Sequence, residues 1–165
     1  MSFGFAVAAL LATTNAGRVG LASQAIRPRP PNVAVAMLAG LVLISLGAVF
    51  ADELLDALTI NPESFRIAAG IVLFVTGVRP LVWPQAPAGP FAAVLVTPEL
   101  ACLAISLGAD EGVGRVLGAT AVALAVAAAA TLVRRREPAA LATQFLAALQ
   151  LIVAVALVIS GLRDV

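Results

Sequence analysis

The sequence predicts an all-α membrane protein in which six transmembrane helices form two inverted three-helix repeats. The first of three observations is composition. The 165 residues are 62% hydrophobic and 12% charged, with a mean hydropathy of +1.08, whereas soluble domains are roughly half apolar and a quarter charged. Six apolar stretches are separated by charged or proline-rich segments. The two halves of the chain also match one another at a constant shift.

Each apolar stretch is close to the about 20 residues that cross the hydrocarbon core of a bilayer. The loops between them are short, and "RPRPPN" and "WPQAPAGP" carry the clearest proline signals. Residues 1–165 are therefore expected to form one transmembrane domain, with the apolar N-terminus as a retained first span rather than a cleaved signal. The predicted spans are Phe3–Ile26, Val33–Leu58, Phe65–Trp83, Phe91–Leu107, Val113–Val133 and Ala140–Leu162.

Arginine placement predicts the orientation, because basic residues collect in cytoplasmic loops. The first, third and fifth loops carry arginines, including three in a row at 134–136. The second and fourth loops are mainly acidic, with Arg66 and Arg115 as exceptions. Arginine as the only basic residue type, together with abundant alanine, is associated with bacterial genomes of high GC content. We therefore expect a multi-pass protein of the bacterial plasma (inner) membrane with both termini outside.

A shift of 84 residues brings similar segments of the two halves together. It places "AALLATTN" (Ala8–Asn15) on "AAVLVTPE" (Ala92–Glu99) and "TGVR" (Thr76–Arg79) on "SGLR" (Ser160–Arg163). The sequence thus predicts one repeat over about residues 1–83 and another over about 84–165. Three spans per repeat require the second to be inverted, an arrangement found in many secondary transporters.

The fourth predicted span is interrupted by Thr97, Pro98 and Glu99. Threonine is favoured as an N-cap because its hydroxyl accepts a hydrogen bond from a backbone N–H, proline is favoured at the first helical position, and an acid suits the positive end of the helix dipole. The tripeptide therefore predicts a helix start near the membrane midplane, with Glu99 facing the interior. Two alternatives stay open: a surface loop that precedes a short fourth span, or a purely structural ion pair of Glu99 with Arg18.

The corresponding part of the first span is "TTNAGR", which contains Thr13, Thr14, Asn15, Gly17 and Arg18. Polar groups at matching points of two inverted halves are the best sequence indication of a transporter's binding site. We therefore predict that both spans are broken near the midplane. The residues of the two breaks are expected to bind the solute: Thr13, Thr14, Asn15, Gly17, Arg18, Thr97, Pro98 and Glu99.

Two further local patterns give simpler expectations. "INPESF" repeats the order of cap, proline and acid at a span boundary, and predicts that the third helix starts at Asn61–Glu63. Gly114 and Gly118 form a GxxxG pattern, which is typical of close helix packing in membranes.

The segment "SFRIAAGIVLFVTGVR" (Ser64–Arg79) resembles the third-span signature of MarC-type integral membrane proteins. "TTNAG" is similar to that family's Asn-Pro-x-Gly motif, with Asn15 as its asparagine and Ala16 in place of its proline. Pro98 falls where the family has a glycine-proline element, whereas Glu99 is not a family residue. The resemblance covers nearly the whole chain and implies a compact, divergent member, with six spans and a relation to LysE-type exporters. It implies no substrate.

The leading functional expectation is a secondary transporter that exports a small polar or zwitterionic solute. The start of the broken helix would favour a carboxylate, while Glu99 would favour a cation or carry a proton. The alternative is a structural or accessory subunit of a membrane complex that transports nothing. Enzymatic activity is not expected, because the chain has no His and one Cys and so lacks the usual nucleophile–base pair.

The expected partners are the lipid bilayer and a small polar solute, with no nucleic acid, and homo-oligomer formation stays open. No metal site or other cofactor is expected, because the chain's only cysteine and its lack of histidine provide no cluster of metal ligands.

Overall fold

A computed structural model describes residues 2–26, 30–82, 95–132 and 136–164, and within these ranges every regular element is an α-helix. The described residues form the helices α1 (Phe3–Thr14), α2 (Ala16–Ile26), α3 (Pro30–Val49), α4 (Ala51–Ala57), α5 (Pro62–Val82), α6 (Pro98–Glu111), α7 (Val113–Ala130) and α8 (Arg136–Asp164).

Five helical stretches of the described chain are long and apolar enough to cross a membrane, so the protein is an all-α membrane protein, as predicted. They are Phe3–Ile26, Pro31–Val49, Pro62–Val82, Val113–Ala130 and Glu137–Arg163.

Two predicted spans differ from the observed helices. The second was expected to reach Leu58, but α3 ends at Val49 and the separate helix α4 follows a bend at Phe50. Asp52 and Glu53 in the first turn of α4 favour a new helix start there, because acids stabilise the positive end of the dipole. The fourth span is described only from residue 95, and its helix α6 has 14 residues. Its predicted first part, with Trp83 of the third span, lies outside the described residues.

The first span lies at the centre of the bundle. In the most apolar 18-residue segment of this span 67% of the residues are buried, compared with 22% to 33% in the corresponding segments of the other four stretches. Ala6 and Ala9 of α1 share one core cluster with Ala119 and Ala123 of α7, all fully buried. Small side chains let helix backbones approach closely, which is how transmembrane helices gain packing energy without a hydrophobic force between them.

The outer surface is apolar, as expected for a chain in lipid. Val75 of α5 is 65% exposed and Phe145 of α8 is 71% exposed, and further large apolar side chains on α3 and α7 also face outward. Such a surface is stable only against hydrocarbon or another apolar surface.

Glycines mark the tightest helix crossings. A Cβ on Gly17 of α2 would collide with the backbone of Thr143 in α8, and one on Gly108 of α6 would lie 2.6 Å from Cα of Ala48 in α3. The predicted GxxxG pair behaves differently: Gly114 faces open space, and Gly118 meets only the ring of Phe3, at 3.5 Å. Within the described chain, Gly114 and Gly118 thus form no close helix crossing.

Replacing Gly17 by Ala is expected to lower stability by about 1–3 kcal/mol, the usual cost of overpacking a close contact. The matched control is Gly114→Ala, which meets nothing within 4 Å and should be neutral or stabilise by up to about 1 kcal/mol, because Ala is the better helix former. Thermal unfolding of the two variants in detergent measures the difference. Equal melting temperatures would show that α2 and α8 do not need this close approach.

Candidate functional site

The first span is broken at Asn15, as predicted. Asn15 has φ 44° and ψ 75°, a left-handed conformation that asparagine adopts more readily than most residues. Its backbone N–H donates to the Leu11 carbonyl at 3.2 Å, its carbonyl accepts from Val19 at 3.1 Å, and its Oδ1 accepts from the Arg18 backbone N–H at 3.1 Å. One residue therefore ends α1 and caps α2.

The amide nitrogen of Asn15 connects the break to α8. Nδ2 donates to the Thr143 carbonyl at 3.2 Å, and the Asn15 residue is only 2% exposed. Both polar atoms of this side chain are thus engaged within the protein. The structure also places Gly17 against α8 rather than against an open space.

Thr13 and Thr14 use their hydroxyl protons within α1. Thr13 Oγ1 donates to the Ala9 carbonyl and Thr14 Oγ1 donates to the Leu10 carbonyl, both at 2.8 Å. A hydroxyl that has donated its proton keeps only acceptor capacity. For any further hydrogen bond, these two side chains can therefore only accept.

The fourth span has the predicted helix start. Thr97 is extended, with φ −124° and ψ 148°, and α6 begins at Pro98. The Thr97 carbonyl accepts from Leu100 and Ala101 at 3.1 and 3.2 Å. The prediction that its hydroxyl caps the helix was wrong, because the Thr97 side chain makes no capping hydrogen bond.

Arg18 and Glu99 meet across the two breaks. Arg18 Nη1 lies 3.8 Å from Glu99 Oε1, and the side chains are 30% and 8% exposed. A charge-assisted hydrogen bond would be about 2.7–2.9 Å long, so this is an ion pair without direct hydrogen bonding. Within the described residues the Glu99 carboxylate accepts no hydrogen bond. Glu99 is buried, which agrees with the interior placement and disfavours the surface-loop alternative.

A second polar cluster was missed by the sequence analysis. Arg66 of α5 is 7% exposed and forms an ion pair with Asp110 near the end of α6, and its Nη1 donates to Ser160 Oγ of α8 at 3.1 Å. In the described part of the chain, Asp110 Oδ2 and Ser106 Oγ are buried without a hydrogen-bond partner. The cluster therefore connects three helices but leaves some acceptor capacity unused.

The topological prediction assigned Arg66 to the second loop, and Asp110 falls in the fourth loop, between the predicted spans Phe91–Leu107 and Val113–Val133. The structure puts Arg66 inside α5 and Asp110 inside α6, and it also puts Glu111 at the end of α6 and Arg115 inside α7. The available signal was a charge one turn inside an apolar span, but 44 positions separate Arg66 from Asp110, and nothing local identifies the partner.

Gln150 of α8 makes another connection that the sequence did not predict. Its Nε2 donates to the Leu73 carbonyl and to Thr76 Oγ1 of α5, each at 3.0 Å. Together with the Arg66–Ser160 hydrogen bond, this contact joins α5 to α8 at two levels of their crossing.

A groove of about 460 Å³ lies along α8, and its lining includes none of the predicted solute-binding residues. It is lined by Ala156, Ile159, Ser160 and Arg163. Among the described residues, no group of three His, Cys, Asp or Glu side chains could hold a metal ion.

Comparisons of the chain with protein-family models, with curated proteins and with solved structures gave no match.

Arg18→Gln is expected to lower the free energy of unfolding by about 1–3 kcal/mol, because it leaves the Glu99 carboxylate buried without a partner. Glu99→Gln should cost less, under about 1 kcal/mol, since Arg18 is exposed enough to turn toward solvent. The double variant should resemble Glu99→Gln. Thermal unfolding in detergent at neutral pH tests this order, and a larger loss for Glu99→Gln would contradict it.

Proposed function

We propose that this protein is a secondary transporter of the bacterial inner membrane that exports a small polar or zwitterionic solute. The observation that carries the proposal is the Arg18–Glu99 pair: two opposite charges, each beside a break in a span, held 3.8 Å apart inside an apolar bundle. Ionisable groups inside a membrane are costly, and the default hypothesis for them is function. The proposal assigns no enzymatic activity.

The chemistry of the pair suits a zwitterion. The Glu99 carboxylate has unfilled acceptor capacity and would receive an ammonium group. Arg18 would bind a carboxylate, supported by the positive end of α6. The acceptor oxygens of Thr13 and Thr14 would add hydrogen bonds to the ammonium group. A solute of this type would replace each charge's present partner with an opposite charge, so neither would be left unpaired.

The inverted repeat is part of the proposal, and the α5–α8 contacts support it. At the shift of 84 residues Arg66 corresponds to Gln150 and Thr76 to Ser160. The hydrogen bond from Arg66 to Ser160 and the one from Gln150 to Thr76 therefore exchange under the repeat operation.

The glycines of the matching segments Thr76–Arg79 and Ser160–Arg163 also make contacts that exchange under the repeat operation. Gly77 corresponds to Gly161, and Leu151 corresponds to Ile67 at the same shift. A Cβ on Gly77 would meet Leu151, and one on Gly161 would meet Ile67. Repeats over about residues 1–83 and 84–165, with both termini outside, would let the two halves rock about the central pair. A relation to MarC-type and LysE-type membrane proteins is part of the same proposal, and the similarity of Ser64–Arg79 to the MarC third-span signature supports it.

The second candidate is a structural or accessory membrane subunit. One observation favours it: the side chains of Thr13, Thr14 and Asn15 each donate a hydrogen bond to a backbone carbonyl within the protein. A bundle whose breaks are closed in this way could serve assembly without passing a solute. The two functions differ in whether a ligand binds at Glu99.

The transporter proposal can be tested by measuring the melting temperature of the purified protein with a panel of amino acids, small polyamines and polar drugs. A ligand at a hundred times its dissociation constant stabilises the folded state by about 2.7 kcal/mol. A stabilising compound should lose its effect in Glu99→Gln and keep it in Glu53→Gln, which removes an exposed carboxylate from α4. No stabilising compound, together with a Glu99→Gln protein more stable than wild type, would favour the accessory subunit.

A further inference from the structure

Among the described residues, ion pairs join α6 to α2 and to α5, one near each end, and a third pair joins its last residue, Glu111, to Arg115 of the adjoining α7. Near its start Glu99 faces Arg18 of α2, and near its end Asp110 faces Arg66 of α5. The two carboxylates are eleven positions apart, which is three helical turns, so they lie on one face of α6 about 16 Å apart at about 1.5 Å per residue. Movement at one end of this rigid segment is therefore transmitted to the other.

The helices α2, α5 and α8 are connected more firmly, and we call these three the frame. At the α5–α8 crossing, a Cβ on Gly70 would lie 2.8 Å from the Ala154 carbonyl oxygen, and the bonds of Arg66 and Gln150 lie on either side of this contact. Asn15 joins the α1–α2 break to α8, and Gly17 lets α2 and α8 approach closely. Such contacts leave little room for relative motion.

The tight glycine contacts of α6 are instead with α3. Gly108 lies against Ala48, and a Cβ on Gly47 would lie 3.0 Å from that of Ala104. The helix is bounded by extended Thr97 and by Gly112, whose φ is +78°. Thus α6 packs closely with α3, and the ion pairs of Glu99 and Asp110 are polar contacts that join it to the frame.

The two pairs differ in strength. The guanidinium of Arg66 touches Asp110 directly, and the side chains are 9% and 13% exposed. Arg18 stays 3.8 Å from Glu99 and is 30% exposed. Removing one partner of a buried pair is strongly destabilising because it leaves a charge uncompensated. The Arg66 end is therefore the fixed end of α6, and the Glu99 end is the one that opens more easily.

We propose that Arg66 is a positioning residue for the candidate solute site: through Asp110 it anchors the end of α6 and so keeps Glu99 opposite Arg18. This role rests on the proposed function for its meaning, but the attachment itself does not depend on any solute. Loss of the anchor would let α6 and α3 move together away from the frame, and the Arg18–Glu99 pair would separate as a consequence.

The reactivity of Cys102 provides a way to measure this movement without adding a label site. Cys102 is the only cysteine in the sequence, lies on α6 one turn after Glu99, and is half-buried. Its rate of reaction with N-ethylmaleimide, measured in detergent without solute and well below the melting temperature, reports local opening around α6.

Asp110→Asn and Arg66→Gln should each raise the Cys102 labelling rate at least about tenfold, the effect of a shift of about 1.4 kcal/mol in the opening equilibrium. The double variant should label no faster than Arg66→Gln, because that variant has already lost the pair with Asp110. Arg66→Lys keeps the charge but not the geometry of the guanidinium, and it should label faster than wild type and more slowly than Arg66→Gln. If the neutral variants do not fold, the comparison of Arg66→Lys with wild type provides the test.

Gln150→Leu is the matched control, because it removes a buried hydrogen bond within the frame and leaves the α6 pairs intact. It should lower the melting temperature without changing the labelling rate. Equal rates in wild type and in the Arg66 and Asp110 variants would overturn the anchor, as would an equal increase in Gln150→Leu. Either result would leave the transporter proposal to its own ligand test at Glu99.

Discussion

Asn15 satisfies the backbone on both sides of a break in the most buried span, and the geometry of the candidate site depends on this. In hydrocarbon no water is present to pair with exposed backbone groups, so a helix can be interrupted only where the protein supplies the partners. Asn15 accepts from the backbone of α2, donates to the backbone of α8, and adopts a left-handed conformation in between. Arg18 follows one turn later and reaches α6.

The polar side chains of the two breaks fall into two sets that differ in how they are held. The side chains of Asn15, Thr13 and Thr14 form hydrogen bonds inside the protein and maintain the broken helix. Arg18 and Glu99 are held together by charge alone at 3.8 Å, so the site combines a rigid surround with a pair that a ligand could separate. Because the two sets differ in this way, the structure is compatible with both a transporter and a closed accessory subunit. Ligand binding at Glu99 is the property that distinguishes the two.

The mechanical organisation follows from where the small residues lie. Close contacts at Gly17 and Gly70 join α2, α5 and α8, whereas Gly108 and Gly47 join α6 to α3. Transmembrane helices gain association energy from such packing, so the distribution of glycine decides which helices form one unit. The buried charges then connect the two units at both ends of α6, with the firmer contact at Arg66.

The sequence by itself determined the features that depend on local chemistry. The length and apolarity of the spans predicted a helical membrane protein, and the helix starts at Pro62 and Pro98 and the break at Asn15 followed from residues adjacent in the chain. Caps, prolines and left-handed residues act within one helical turn, so their effect can be seen without a fold.

Only the tertiary structure decided which distant groups meet. Arg18 was a candidate partner for Glu99 but its distance was open, and no local signal identified the partners of Arg66 and Gln150. It likewise decided that Gly17 lies at a helix crossing while Gly114 does not. The physical reason is that partner choice depends on how helices cross and rotate, and many crossings are compatible with the same apolar spans. Small residues and buried charges then select one arrangement through packing and pairing.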